Sequence, residues 1–458
     1  MKVIVCGAGQ VGFNIARYLS AENNDVVVID RSPELVRRIS DSLDVKGIVG
    51  HASHPDSLEQ ADAEGADIMI AVTQVDEVNM MACQVAHSLF NVPTKIARVR
   101  HQSYLDPKFQ SLFSRDHMPI DVIISPEIEV ARAVTRRLEV PGAFEMIPLA
   151  EDRVKLVGVR CHEGCPLINT PLRQLTQIFP DLNIVIVGLT RQGEAIVPTS
   201  DDEMLLGDEV YFVVDSEQLP RAMAAFGHEE PEARRLLIFG GGNIGLFLAK
   251  QVEADYPWVN TKMIEATPER AADIAGEMKK AVVLHGDVLD PEILEEANVG
   301  AVDTVVAVTN DDETNILSSL LAKRYGCERA IALINKATYE SLITTLGIDV
   351  VVSPRNITVS TILQHVRRGR IHSVHTLREG FGELIEAEAM ETSDLVGVPL
   401  READIPQGVL IGAIVRDGQV ISPRGDTMIE PQDRIVLFAA ADAVRKVEKM
   451  FSVRLEFF

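Results

Sequence analysis

The sequence has no apolar run of the roughly 18–20 residues that a helix needs to cross a bilayer, so we expect no membrane-spanning segment. Apolar stretches such as Asn183–Leu189 and Val409–Val415 have only the length of buried strands. The first residues, Met1–Gly12, enter a strand and then a glycine turn at once, which leaves no room for a signal peptide. We therefore expect a cytoplasmic protein.

Positive charge is also scarce, because 44 Lys and Arg residues stand against 68 Asp and Glu residues, for a formal net charge of −24. Such a charge repels phosphate backbones and anionic lipids, so it disfavours direct binding to nucleic acid or to a bare membrane. It is compatible with a protein partner that has a basic surface. The cytoplasmic loops of membrane proteins are surfaces of this kind.

Cysteine is sparse, with five residues scattered over 458 positions. An odd number at scattered positions is typical of reduced, mostly buried thiols. The only local cluster is Cys161-His162 with Cys165, and no second Cys/His cluster supplies the further ligands that a metal site would need. We expect no metal.

The chain does contain an internal repeat. The segment Val3–Ser20 (VIVCGAGQVGFNIARYLS) matches Leu236–Glu253 (LLIFGGGNIGLFLAKQVE), and IAVTQVDEVN at Ile70–Asn79 matches VAVTNDDETN at Val306–Asn315. Each second motif follows its first by about half of the 458 residues, so the sequence predicts two copies of one unit.

Each copy begins with alternating Val/Ile-rich strands and helices, which predicts a parallel sheet covered on both faces. Each copy ends in short strands broken by Gly, Pro and Asp, which predicts a compact α+β domain. The predicted fold class is α/β, with two Rossmann-like doubly wound domains, each followed by a small α+β domain. The expected boundaries are a nucleotide-binding domain at 1–124, a connecting helix at 125–142, a small domain at 143–228, a linker at 229–235, a second nucleotide-binding domain at 236–352, a second connecting helix at 353–371 and a second small domain at 372–458.

A complete G-x-G-x-x-G motif follows the first strand and opens the first helix, in the run Gly7-Ala8-Gly9-Gln10-Val11-Gly12. In this context the first glycine makes a tight turn, the second lets the backbone approach a pyrophosphate, and the third lets the helix pack close to the strand. Asp30 closes the second strand, where an acid is expected to bind an adenosine ribose.

The second copy repeats the motif as Gly240-Gly241-Gly242-Asn243-Ile244-Gly245, with Glu265 as the acid. The two acids disfavour a 2′-phosphate, so we expect NAD(H) or another adenosine nucleotide rather than NADP(H). Arg31 would favour a 2′-phosphate, although it can also be interpreted as a solvated surface residue. Glycine turns without a ligand are the alternative for either loop.

Further polar residues are expected at the same edge of each sheet, where ligands bind in doubly wound folds. They are His51, Thr73, Gln74 and Arg98 in the first copy and Asp287, Thr309 and Asn310 in the second. The two threonines could instead cap the following helices. Arg98 could instead form a surface or interdomain ion pair, and Leu333 stands opposite it in the second copy.

Two other function classes compete with a nucleotide-controlled regulator. An NAD-dependent oxidoreductase would need an acid/base group beside the nicotinamide. The two copies share no such pair, since His51 is matched by Asp287 and His101 by Lys336. A purely structural scaffold would not need two intact phosphate-binding loops. The sequence therefore favours a protein that is not an enzyme and has no catalytic residues.

The sequence resembles the RCK/KTN family, whose domains regulate potassium conductance. The resemblance covers essentially the whole chain, as N-terminal and C-terminal domains repeated twice. It is carried by Asp30 and by the runs GAGQVG (7–12), GHASHPD (50–56), IAVT (70–73), IARVR (96–100), GGGNIG (240–245), GDVLDPE (286–292) and VAVTNDDETN (306–315).

This resemblance implies a cytoplasmic regulatory subunit of a Trk-type potassium uptake system, peripheral on the inner face of the cell membrane. It implies NAD(H) as ligand, with ATP or ADP as alternatives, and a homo-oligomer, expected as a tetrameric ring. The implied partner is a Trk-type integral membrane potassium channel subunit, and no nucleic acid is involved. Leu333 in place of an arginine departs from the first copy and leaves open whether both halves bind the same ligand.

Overall fold

The structure is a computed structural model that describes residues 1–22, 24–179, 182–230, 233–336, 338, 339, 343, 346–366, 371–377, 381–393 and 395–451. Residues 231 and 232 of the expected linker, and 367–370 at the end of the second connecting segment, lie outside this set. No helix in the described part is long and apolar enough to cross a membrane.

The first nucleotide-binding domain is a six-stranded parallel sheet in the order β3-β2-β1-β4-β5-β6. This is the Rossmann order, with its topological switch between β1 and β4. The elements are β1 Lys2–Cys6, α1 Gln10–Ala21, β2 Asp25–Asp30, α2 Pro33–Ser42, β3 Lys46–Val49, α3 Pro55–Gln60, β4 Ile68–Ala71, α4 Asp76–Phe90, β5 Thr94–Arg98, α5 Gln102–Leu105 and β6 Val122–Ile124, with 3-10 turns at Ala63–Gly65 and Pro107–Phe113.

The first small domain is a five-stranded antiparallel sheet in the order β10-β9-β11-β8-β7. It follows helix α6, Pro126–Glu139. Its elements are β7 Ala143–Leu149, β8 Val154–Arg160, α7 Leu172–Ile178, β9 Ile184–Arg191, β10 Glu194–Ile196, β11 Glu209–Asp215 and α8 Leu219–Ala225, with a 3-10 turn at Ser216–Gln218.

The second nucleotide-binding domain repeats the same strand order, as β14-β13-β12-β15-β16-β17. Its elements are β12 Arg235–Phe239, α9 Asn243–Asp255, β13 Asn260–Glu265, α10 Pro268–Glu277, β14 Val282–His285, α11 Pro291–Glu296, β15 Thr304–Ala307, α12 Asp312–Arg324, β16 Arg329–Leu333 and β17 Val350–Val352, with a 3-10 turn at Val299–Ala301.

The second small domain repeats the antiparallel sheet in the order β18-β19-β22-β20-β21. It follows helix α13, Pro354–Val366. Its elements are β18 Ile371–Leu377, β19 Gly382–Glu388, β20 Val409–Arg416, β21 Gln419–Ile421, β22 Arg434–Ala440 and α14 Val444–Met450. The predicted fold class and the tandem duplication are confirmed.

The chain divides into two compact units, 1–130 with 353–366, and 131–352 with 367–458. In the first unit, α13 packs its buried residues Val359, Ile362 and Leu363 into the core beside α1, although α13 belongs to the second copy. In the second unit, the Arg329 guanidinium donates to the carbonyl oxygens of Arg137, near the end of α6, and Ala143, at the start of β7. Each connecting helix therefore contacts the nucleotide-binding domain of the other copy.

Within the second unit, the two small domains share one apolar core. Leu156, Tyr211 and Val213 of the first domain pack with Phe381 and Phe438 of the second. The sheets approach so closely at Gly188 that a Cβ there would lie 2.3 Å from the ring of Phe381. The two small domains therefore stabilise each other by burying apolar surface.

Candidate nucleotide-binding sites

The first glycine loop connects β1 to α1 at the switch point of its sheet. Gly7 has a φ of +112°, which disfavours any residue with a Cβ. A Cβ on Gly12 would lie 1.8 Å from the Gly7 carbonyl oxygen, so only glycine lets α1 approach β1 this closely. A Cβ on Gly9 would meet no described atom within 4 Å, so the loop is open at this position.

The second glycine loop has the same geometry. Gly240 has a φ of +99°, and a Cβ on Gly245 would lie 2.0 Å from the Gly240 carbonyl oxygen. A Cβ on Gly242 again would meet no described atom within 4 Å. Gly9 and Gly242 are the N-terminal caps of α1 and α9 and provide no side-chain hydrogen bond, so each helix presents backbone N–H groups to its loop.

The two acids are held beside the loops by matching hydrogen bonds. The Asp30 carboxylate accepts from Ala8 N at 2.7 Å and from Ser32 N at 2.8 Å. The Glu265 carboxylate accepts from Gly241 N at 2.7 Å and from Thr267 N at 2.8 Å. Each carboxylate oxygen keeps acceptor capacity for a further donor, such as a ribose hydroxyl.

Thr73 lies beside the first loop, because a Cβ on Gly7 would be 3.2 Å from its backbone nitrogen. The threonine does not cap α4, whose N-terminal cap is Val75. Instead, Thr73 donates from N and Oγ1 to Asn79 Oδ1 at 2.8 and 2.7 Å. Asn79 Nδ2 in turn donates to the carbonyl oxygens of Thr73 and Arg98, so one buried amide joins the ends of β4 and β5.

The second copy repeats this clamp with Asn315. Thr309 donates from N and Oγ1 to Asn315 Oδ1 at 2.9 and 2.7 Å, and Asn315 Nδ2 donates to Leu333 O at 2.9 Å. Asp311, not Thr309, caps α12. Since Asn79 binds the Arg98 carbonyl and Asn315 binds the Leu333 carbonyl, Arg98 and Leu333 occupy equivalent positions.

Arg98 is partly buried, and its Nε has no hydrogen-bond partner among the described residues. Burial lowers the pKa of its guanidinium, the neighbouring Arg100 lowers it further, and Glu127 and Asp76 partly oppose that change. A buried donor without a partner costs free energy unless a ligand or water binds it. Leu333 is buried and apolar, so the second copy has no such donor at this position.

The other predicted site residues lie at the rim or bond within their own turns. Gln10, Arg31, Gln74, Asn243 and Asn310 are exposed, and Val11 and Ile244 are partly buried. His51 stacks on His54 at 4.5 Å between ring centroids, and its Nδ1 lies 3.0 Å from Ser53 Oγ. Asp287 is exposed and accepts from Leu289 N at 2.9 Å. No hydrogen bond among the described residues joins His51 or Asp287 to a glycine loop.

Family comparison matches the TrkA-N domain to residues 3–126 and 236–354, and the TrkA-C domain to residues 156–227 and 384–452. The chain belongs to the TrkA family.

Full-length relatives of this TrkA-family chain include two bacterial proteins named Trk system potassium uptake protein TrkA. The protein of Azorhizobium caulinodans is 54% identical over 458 residues, covering 100% of both chains. The protein of Halomonas elongata is 40% identical over 462 residues, also covering 100% of both.

Among solved structures, the crystal structure of the GsuK RCK domain has a TM-score of 0.60 at 19% identity, covering 99% of this chain and 95% of that one. The GsuK channel bound to NAD has a TM-score of 0.59 at 17% identity, covering 99% and 79%. At this level of identity the likeness concerns the fold.

Three polar residues near the loops escaped the sequence reasoning. Asn79 and Asn315 end the repeated runs at 70–79 and 306–315, so the repetition itself was the available signal. Arg270 on α10 donates from Nε to the Gly241 carbonyl oxygen at 2.9 Å, which places a cation at the second loop. Its counterpart in the first copy is Leu35, and no motif marks the difference.

The described residues contain no group of three or more His, Cys, Asp or Glu side chains arranged to hold a metal ion.

Proposed function

We propose that this TrkA-family protein is the nucleotide-controlled regulatory subunit of a Trk-type potassium uptake system. The main support is the duplicated loop, in which two glycine turns, two acids and two asparagine clamps recur with the same hydrogen bonds. A chain that only needed a scaffold would have no reason to keep both phosphate-binding turns.

The first loop is proposed to bind NAD(H), or ATP or ADP, as an adenine nucleotide. The open backbone at Gly9 and the N-terminus of α1 would receive the phosphates, and Asp30 would accept from the ribose hydroxyls. The buried Arg98 Nε would gain the acceptor it lacks from a phosphate oxygen. The relative GsuK, a protein of the same fold, has been solved bound to NAD and to ADP.

The two sites are proposed to differ in the position of their cation. Arg98 is the last residue of β5, which is two strands from β1 on one side of the loop, or about 10 Å at ordinary strand spacing. Arg270 lies on the other side, on the helix that follows β13. The first site should therefore favour a ligand whose phosphates extend toward β5, and the second a ligand with its charge near the glycine turn.

A regulatory role is favoured over NAD-dependent oxidoreduction. Hydride transfer would need an acid/base side chain facing the nicotinamide. His51, the one histidine among the predicted site residues, already contacts His54 and Ser53. The full-length relatives carry the name of a potassium uptake protein, which adds to the case against the oxidoreductase alternative.

The proposed mechanism is a conformational equilibrium that nucleotides shift. A ligand moves such an equilibrium only if it binds one state better than the other. Moving it from 1:99 to 99:1 takes about 5.5 kcal/mol of differential affinity. In a ring of four chains, each of eight sites would need to contribute only about 0.7 kcal/mol, which is less than the roughly 1–3 kcal/mol that is typical of coupling energies.

The proposed partner is a Trk-type integral membrane potassium channel subunit, with this protein peripheral on the inner face of the membrane. The net charge of −24 favours contact with the basic cytoplasmic surface of a membrane protein and disfavours bare anionic lipid. Salt should weaken this attraction, since charges are screened over about 8–10 Å at physiological ionic strength.

Reconstitution tests the proposal directly. The channel subunit is placed in vesicles with and without this protein, and potassium flux is measured against NADH, NAD, ATP and ADP. Flux should depend on nucleotide only when both proteins are present. A double variant, Gly9→Val with Gly242→Val, is the matched control, because it should dock while losing nucleotide dependence.

Flux that ignores this protein at every nucleotide concentration would refute the regulatory role. Rapid NADH oxidation by the purified chain alone would revive the oxidoreductase alternative.

A further inference from the structure

The first small domain contains two neighbouring cysteines, Cys161 and Cys165, in one turn of its core, and the proposed function does not use them. Cys161 follows β8, and Cys165 ends the turn that comes after it, where Cys165 N donates to the His162 carbonyl oxygen at 2.9 Å. Both residues are buried in the domain core, and both thiols are free. We propose that Cys161 and Cys165 form a reversible disulfide in response to hydroperoxides, which adds a redox input to this protein.

The surroundings of the pair make Cys165 the nucleophile. The Cys161 thiol donates a hydrogen bond to the Cys165 sulfur, and the backbone N–H groups of Leu167 and Ile168 donate to the same sulfur. These bonds, together with the nearby His162, outweigh burial and lower the pKa of Cys165 to about 6. The same hydrogen bond, followed by burial, raises the pKa of Cys161, which therefore keeps its proton.

The other cysteines lack these features. Burial raises the pKa values of Cys6, Cys83 and Cys327. Because the thiolate is the reactive form, oxidation should be selective for Cys165. Peroxide would reach the sulfurs through the turn itself, since the residues next to the cysteines in sequence, Glu163, Gly164 and Pro166, are exposed.

The second copy has the same backbone without the sulfurs. Cys161 N donates to Asp208 O, as Ala389 N donates to Asp433 O, and the turn bond of Cys165 is matched by that of Ser393. The turn therefore folds without cysteine, so the two thiols are not a requirement of this fold.

The reaction balances in two steps. The Cys165 thiolate attacks one oxygen of the hydroperoxide, the O–O bond breaks, and the alkoxide or hydroxide leaves with a proton from solvent, which gives a sulfenic acid on Cys165. The Cys161 sulfur then attacks that sulfur, the S–O bond breaks, and the departing hydroxide takes the Cys161 proton to form water. Two electrons pass from the dithiol to the peroxide, and a dithiol reductant restores both thiols.

The dithiol turn contacts the segment that leads toward the second nucleotide-binding domain. The rings of His162 and His228 lie 4.9 Å apart, and a Cβ on Gly227 would be 2.6 Å from the Gly164 carbonyl oxygen. A disulfide shortens the distance between the two sulfurs and so shifts the turn. Amide exchange at Gly227 and His228 should change on oxidation.

The test treats the full-length protein with hydrogen peroxide and counts thiols with a polymer-linked maleimide after denaturation. Five reactive thiols should fall to three and return to five with dithiothreitol. Trypsin releases both cysteines in one peptide, 161–173, whose mass should fall by two hydrogens.

Variants make the assignment residue by residue. Cys165→Ser should retain its remaining thiols under the same peroxide exposure, whereas the control Cys327→Ser should still lose two. The proposal is overturned if the parent peptide 161–173 keeps its mass while peroxide is consumed, or if Cys6, Cys83 and Cys327 are oxidised as fast. The parent measurement stands even if a variant fails to fold.

Discussion

Gly9 is the position at which one substitution should separate nucleotide binding from folding. Its φ of −67° and ψ of −173° are extended backbone that valine adopts, and a Cβ there would meet no described atom within 4 Å. At Gly12, by contrast, even alanine would place its Cβ 1.8 Å from the Gly7 carbonyl oxygen. We therefore expect Gly9→Val to fold and Gly12→Ala to be strongly destabilised.

The size of the binding effect follows from what the valine displaces. A side chain at Gly9 would occupy the space in which a pyrophosphate approaches the loop N–H groups. Each hydrogen bond to a charged phosphate is worth about 1.5–3 kcal/mol. Losing two of them would cost roughly 3–6 kcal/mol, or about a hundredfold to ten-thousandfold in Kd.

The effect on stability should be small. Gly9 is the N-terminal cap of α1, and α1 has no side-chain hydrogen bond at its cap, so replacing Gly9 costs at most about 1 kcal/mol. The reduced entropy of the unfolded valine chain offsets part of this. For a domain of this size the melting temperature should move by only about 2–4 °C.

The assay is calorimetric titration with ADP and with NADH, carried out in a Gly242→Val background so that only the first loop reports. Gly276→Val is the matched control, because Gly276 is exposed on α10 and a Cβ there would also meet no described atom within 4 Å. It should leave first-loop affinity unchanged. Unaltered affinity for every nucleotide in Gly9→Val would refute the loop as the site, and lost affinity with a large fall in melting temperature would refute the claimed separation.

Three further outcomes are expected. Arg98→Leu in the Gly242→Val background should weaken nucleotide binding about tenfold or more, because it removes a donor to phosphate. The melting temperature should not fall, because Arg98 Nε has no hydrogen-bond partner among the described residues. An unchanged affinity in calorimetric titration would contradict this. Asn79→Ala should lower the free energy of unfolding by about 2–4 kcal/mol in urea titrations, because it leaves backbone groups of Thr73 and Arg98 without their hydrogen-bond partner. Asn315→Ala should do the same in the second copy, and a loss below about 1 kcal/mol would count against the role of these asparagines. Burial, aided by a nearby arginine, lowers the pKa of His375 to about 4, so the unfolded state binds more protons than the folded state. The free energy of unfolding should therefore fall as pH drops from about 6.5 toward 4, by up to about 1.4 kcal/mol per pH unit. His375→Gln should flatten this dependence, and an equal slope in the variant would exclude His375 as its source.

The parts of this protein that sequence could predict are those set by short-range patterns. The strands of both parallel sheets, the glycine turns and the acids at the ends of β2 and β13 are fixed by residues close together in the chain. Gly7 is needed for its backbone conformation, and Gly12 is needed for the close packing of α1 on β1. Both lie within one βαβ unit, so the spacing of the glycines in the sequence predicts both. The repetition of the whole pattern then predicted the tandem architecture.

Tertiary structure decided which side chains and which helices meet. Thr73 reads equally well as a helix cap or a ligand contact, and only the packing of α4 showed that Asn79 binds it. Both connecting helices carry apolar residues, and no local pattern predicts that α13 packs against α1 of the other copy. The placement of Cys161 and Cys165 in one turn, and the contact of Arg270 with Gly241, depend on turn geometry and rotamers. Each of these side chains could contact several surfaces, and the contact that forms is the one of lowest free energy in the whole fold. Local sequence patterns do not give those relative free energies.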